Sequence, residues 1–342
     1  MNSAVLIVIM FLFFVFCIGA IIGSFLNVVI LRAFSGESIV LPPSKCPKCG
    51  NKLKWWHNIP ILSYVLLRGK CYFCHEKISI QYPIVEFITG LIFVAVFMKF
   101  GLQVDTFFAF AIAGLLVVLT VTDIKERIVF DAHTYSLIAV GLIYNLYLTI
   151  SQVLAQVNTI VGFSLTPEWC VSNPITMSIL GLILGAVIME IAARCGYLIA
   201  GQRGFGEGDT YIAAGLGAVF GWRNVVAIIV MAIGLQILFT LPLFLKKLAQ
   251  NKDWKTFSSL VLFFLYAIGF YVLEFKTSLL NNIIFEVLAI FVMFVLGIMA
   301  CLCLIKGLKN KENLTYLPFG PALAIAGMIL LVTNANLLLG LG

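Results

Sequence analysis

The sequence predicts an all-α polytopic membrane protein with about ten transmembrane helices and a small cytosolic zinc-binding loop domain. Three observations carry that expectation. Hydrophobic residues fill 62% of the 342 positions and charged ones 11%, whereas soluble domains hold roughly a quarter charged residues. Apolar runs of bilayer-crossing length, about 20 residues, recur along the chain. Nineteen of its 22 Lys and Arg fall in segments that simple alternation places on one side of a membrane.

The candidate spans lie near 4–32, 84–102, 105–122, 132–151, 174–200, 209–221, 224–245, 258–275, 283–305 and 321–339. The run 209–221 is short for a crossing. Met1-Asn2-Ser3 supplies no positive side chain, and the first apolar stretch is too long for an h-region, so no cleavable leader is expected. With the N-terminus outside, segments 32–83, 123–131, 194–208, 246–257 and 306–313 face the cytosol and hold those 19 cations. Only Lys99, Arg223 and Lys276 remain opposite, which satisfies the positive-inside rule. The net charge of +7 is therefore a topology signal first and an attraction to anionic lipid second. The bilayer is the expected partner; nucleic acid is not.

Five regions follow: a first transmembrane helix (1–34), a cytosolic zinc-binding loop (35–83), a transmembrane core (84–247), a two-helix insertion (248–308) and a C-terminal transmembrane helix (309–342). In the loop, Cys46, Cys49, Cys71 and Cys74 form two C-x2-C pairs, a spacing that brings four thiolates to one tetrahedral Zn2+. Disulfides are the alternative, and a reducing cytosol argues against them. Four sulfurs leave no open position, so the role is structural. His57 and His75 are surface residues on this reading, and the five other cysteines are packing residues.

Asp209 ends the stretch GFGEGD (204–209), where an apolar helical run begins. Alone it is equally a helix N-cap. Ionisable groups at membrane depth are costly, however, and mark functional sites. Asp123 falls where the third span reaches the cytosol, and Asp131 starts the next span, so all three lie at similar depth. Two carboxylates held close do not both ionise easily. One keeps its proton to hydrogen-bond a carbonyl while the other takes a proton from water, which is general acid–base hydrolysis of a peptide. Gly206 and Gly208 are expected to give a substrate strand backbone access, since glycine permits close approach and unusual dihedrals. A flexible loop between helices is the alternative.

These motifs, in order, resemble those of the bacterial prepilin peptidases, the type IV leader peptidases and N-methyltransferases of the GxGD class. GSFLNVVILR (23–32) resembles the family's first-helix signature. The zinc loop follows in CPKCG and NIPILSYVLLRGKCYFC (58–74), then QYPIVEFITG (81–90). TDIKERIVFD (122–131) and GFGEGD resemble its two aspartate motifs, and YLPFGPALAIAG (316–327) its last helix. The resemblance implies Asp123 and Asp209 as the catalytic pair, with Asp131 in support. It also implies cleavage of a basic leader from type IV prepilins or pseudopilins, on the cytosolic side of the bacterial inner membrane. Methylation of the new N-terminus with S-adenosylmethionine as cofactor would follow. Asn27, Asn58 and Glu86 lie in matching motifs and are candidates for holding that methyl donor, or for joining helices by hydrogen bonds.

Two departures stand out. Phe130 occupies a place where the family commonly has proline, and the chain carries about ten spans where the family has about eight. Two other functions are weighed: a peptidase without methyltransferase activity, and a transporter using the aspartates for protons or ions. The second lacks an internal repeat and leaves the cysteine loop unexplained.

Overall fold

In the computed structural model the described residues are 3–40, 43–157, 173–200, 205–250, 254–259, 261–263, 265–266, 292, 295–296, 299 and 318–333. Eight α-helices run through them: α1 (Ser3–Ser35), α2 (Leu62–Leu66), α3 (Gln81–Phe100), α4 (Val104–Glu126), α5 (Asp131–Val157), α6 (Pro174–Ala200), α7 (Glu207–Gln250) and α8 (Gly320–Thr333). A 3-10 turn at Trp55–Asn58 precedes α2. Six helices are long and apolar enough to cross a membrane, and α8 is a shorter apolar helix. The expected spans at 209–221 and 224–245 are the two arms of α7, bent where Gly221 adopts φ 78° and ψ 172°. Forty-four residues would make a straight rod of about 66 Å, twice the hydrocarbon thickness, so the bend matters. The spans expected at 258–275 and 283–305, with Glu274 and Glu286, lie largely outside the described residues.

The helix boundaries follow local chemistry. Pro83 and Pro321 stand in the first turns of α3 and α8, where a missing N–H costs nothing. Asn173 caps α6 by accepting from the Thr176 N–H at 3.0 Å, an ordinary N-cap bond. Helix α3 stops at Gly101, whose φ is 67° and whose N–H donates to the Phe97 carbonyl at 2.8 Å. Helix α4 stops at Arg127, a left-handed residue (φ 56°) whose N–H donates to the Asp123 carbonyl at 2.9 Å.

The chain divides into two compact units: Met1–Ile191 with Phe205–Ile233 and Pro318–Gly342, and Ala192–Gly204 with Gly234–Leu317. In the first unit α4 is central and packs against α1, α3, α5 and α8. Small residues let backbones approach, as between membrane helices generally. A Cβ on Gly23 of α1 would fall 2.8 Å from the Glu86 Cα of α3, and one on Gly217 of α7 would overlap the Gly181 backbone of α6. The first arm of α7 is thereby walled in: residues 212–220 are all buried. Within the second unit, Pro242 removes a helical donor from α7, and Trp254 packs edge-on to Phe257.

Candidate active site and metal cluster

Three helix ends meet in the first unit. Asp123 sits in the last turn of α4 and Asp209 in the first turn of α7. Both are buried, at 3% and 5% exposure. The Asp123 charge acts on Asp209, and Gly320, the first residue of α8, lies against the Asp123 Oδ2, a buried atom with no hydrogen-bond partner among the described residues. Asp209 Oδ2 also accepts from the Gly206 N–H at 3.1 Å. The Arg127 charge reaches Asp123 from the chain reversal after α4.

Packing explains how these ends are held. Phe205, within GFGEGD, lies 4.9 Å from Phe319 between ring centroids, which ties the loop before α7 to the turn before α8. A Cβ on Gly208 would come 2.5 Å from the Val129 Cβ, so glycine lets the first turn of α7 settle on the α4–α5 connection. Neither Gly206 nor Gly208 has a positive φ. Gly208 is required by close approach to Val129, and Gly206 offers its N–H to Asp209.

Phe130 takes over what proline would do. Its ring packs against Phe34 of α1 at 5.2 Å and His133 at 5.7 Å. Its carbonyl accepts from the N–H groups of His133 and Thr134. The start of α5 is thus fixed by packing and capping bonds. Asp131 is exposed in the first turn of α5, where a negative charge complements the helix dipole.

The four cysteine sulfurs of the α1–α3 loop all lie within 4.8 Å of one another, and those of Cys46 and Cys74 are 3.9 Å apart. A tetrahedron with metal–sulfur bonds of about 2.3 Å has edges of about 3.8 Å, so the cluster fits a metal ion. Two matching turns build it. The Cys46 N–H donates to the Asn51 carbonyl at 2.9 Å and the Cys71 N–H to that of Glu76 at 2.8 Å. Gly50 (φ 71°) and His75 (φ 54°) hold the equivalent left-handed positions, and bridges join Lys45 to Lys52 and Lys70 to Lys77. The backbone amide of Cys74, helped by that of Phe73, holds the Cys71 thiol down at about 7 against desolvation. The Glu76 amide lowers Cys74, but desolvation and the neighbouring sulfurs outweigh it and push that thiol up to about 12. His57 stacks on Tyr72 at 5.0 Å, and neither it nor His75 joins the sulfur group.

Asn27 and Glu86 meet along the α1–α3 seam. The Asn27 amide donates to the Tyr82 carbonyl at 3.2 Å, and the Glu86 carboxylate accepts from the Ile61 N–H at 2.7 Å. Ile61 has φ 61° and ψ −50°, an outlier for a β-branched residue. Asn58 is exposed three positions earlier. Sequence reasoning passed over Gly320, Phe319 and Ile61 as site residues. The signal for the first two was the glycine between Pro318 and Pro321; Ile61 gave none.

Comparison with known proteins gives the family of the chain. Residues 17–100 match the bacterial peptidase A24 N-terminal domain, and residues 110–241 match the type IV leader peptidase family. A protein of Myxococcus xanthus (strain DK1622) named prepilin leader peptidase/N-methyltransferase is 33% identical over 228 residues, covering 65% of this chain and 60% of that protein. Like-named proteins of Neisseria gonorrhoeae and Xanthomonas campestris pv. campestris are 33% and 31% identical. Their matches cover 60% and 63% of this chain, and 72% and 75% of those proteins. No solved structure matches. The chain belongs to the type IV leader peptidase family.

Proposed function

We propose that this chain is a membrane aspartic endopeptidase that removes the leader of type IV prepilins and pseudopilins at the cytosolic face of the bacterial inner membrane. N-methylation of the new terminus with S-adenosylmethionine follows. The observation that carries this reading is the burial of two carboxylates, Asp123 at the end of α4 and Asp209 at the start of α7, close enough for the charge of one to act on the other. Family membership and the two activities in the relatives' names support it.

Asp123 and Asp209 hold one proton between them, because facing carboxylates resist double ionisation. The ionised member takes a proton from water, whose oxygen attacks the scissile carbonyl carbon. The protonated member donates its hydrogen bond to the carbonyl oxygen. A proton then passes to the leaving nitrogen as the C–N bond breaks, with no covalent enzyme intermediate. The Gly206 N–H fixes the Asp209 side chain. Gly208 and Asp131 support the pair by holding the starts of α7 and α5.

Zinc is the ion proposed for Cys46, Cys49, Cys71 and Cys74. When bound it supplies a structural crosslink between the two turns. For the methyl donor, Asn27 and Glu86 are engaged with Tyr82 and Ile61, which favours their holding helices and loop together. Asn27 Oδ1 is buried without a hydrogen-bond partner among the described residues and is the acceptor that a methyl donor would meet, whereas Asn58 is exposed; no step is assigned to the three. Purified protein incubated with a prepilin-like substrate, with and without S-adenosylmethionine, tests both activities by intact mass. Leader loss plus one methyl group supports the full proposal, and leader loss alone reduces it to a peptidase. An uncleaved substrate overturns it.

A further inference from the structure

Outside the membrane-length helices, the α1–α3 loop displays large apolar side chains. Trp55 is 76% exposed, Leu66 71%, Val65 63% and Tyr72 60%. Contiguous exposed apolar surface of this kind marks an interaction site. Trp55, Trp56, His57, Tyr72 and Phe73 form one ring cluster, with Trp55–Trp56 at 5.4 Å and Tyr72–Phe73 at 5.3 Å. The Lys54 ammonium stands 4.9 Å from the centre of the Trp56 ring. Between residues 43 and 80 the chain has seven Lys and Arg against one acidic residue, Glu76.

The depth of this surface is set by Glu86. Helix α3 has 20 residues, about 30 Å, the thickness of the hydrocarbon core, so Gln81 stands at the membrane boundary. Glu86 lies in the second turn, and helical side chains lean toward the N-terminus. Its carboxylate holds the Ile61 N–H at 2.7 Å, which fixes the loop between Trp55 and Leu66 at the level of the first turns of α3. Tryptophan and tyrosine rings collect at that level, and basic side chains there meet anionic headgroups.

We infer that the Trp55–Leu66 segment, with Tyr72 and Phe73, docks on the anionic headgroup layer of the protein's own bilayer. The rings enter the interface and the lysines and Arg68 face lipid phosphates. The metal cluster then lies flat against the membrane instead of projecting into water.

Tryptophan fluorescence of the full, metal-loaded chain tests this, reconstituted with lipids brominated near the headgroup. The Trp55/Trp56 signal is the difference between wild type and W55F/W56F. The expected result is loss of that signal in phosphatidylglycerol-containing vesicles, with less loss in phosphatidylcholine alone or at high salt. K48Q/K52Q/K54Q should lose the preference for phosphatidylglycerol while keeping the phosphatidylcholine result. A signal untouched by brominated lipid but quenched by aqueous iodide would overturn the inference. So would a signal shielded from both, which would mean that protein, such as a second copy of the chain, covers the rings.

Discussion

Gly320 stands so close to Asp123 that a Cβ at position 320 would collide with the carboxylate Oδ2, a buried oxygen with no hydrogen-bond partner among the described residues. The start of α8 is therefore fitted to the pair by the absence of a side chain. The helix dipole adds positive potential there, which favours negative charge on a neighbouring carboxylate.

Gly320→Ala should displace the Asp123 carboxylate while leaving α8 folded. A shift of about 1 Å at reacting groups costs on the order of a hundredfold in rate. The expected outcome is that loss in kcat for leader removal, with KM and thermal unfolding in detergent near wild type. A fully active variant would remove Gly320 from the site.

Gly208→Ala should act through Val129 and not through backbone strain, since φ at 208 is not positive. Overpacking of this kind costs about 1–3 kcal/mol, read as a lowered unfolding midpoint and reduced cleavage. Val129→Gly in the same chain removes the clashing atoms and should restore part of both. Equal damage in the double variant would show that Gly208 serves a passing substrate strand instead.

Metal uptake should release fewer protons than there are thiols. Cys71, held at about 7, is ionised above that pH and then has no proton to release to solvent when metal binds. The number of protons released on zinc binding should thus rise by about one as the pH falls through 7, where affinity also drops. Calorimetry of the metal-free chain in buffers of different ionisation enthalpy measures this count. A proton count that stays the same on both sides of pH 7 would contradict the lowered Cys71 thiol.

The cysteine cluster and the two aspartates were legible in the sequence for a shared reason. In a chain with 15 acidic residues and 11% charge, each ionisable side chain in an apolar setting stands out, and C-x2-C spacing follows from tetrahedral geometry. The helical architecture was legible from apolar run length. What escaped was backbone chemistry. Gly320 has no side chain to announce it, and the bend at Gly221 looks like a boundary between two spans. The strained Ile61 is an ordinary apolar letter until its N–H is seen on Glu86. Gly208 was noticed for substrate access, yet its visible cause is the Val129 side chain on a neighbouring connection. Phe130 looked like a lost proline, and its packing on Phe34 depends on a helix almost a hundred residues earlier in the chain.

On the proposed mechanism Asp123 and Asp209 act as one catalytic pair. Leader removal from a prepilin-like substrate, measured for Asp123→Asn and Asp209→Asn with folding checked by thermal unfolding, tests it most directly. Each single substitution should abolish cleavage in a folded protein, and the double variant should be no worse. Cleavage that survives either substitution would contradict that mechanism.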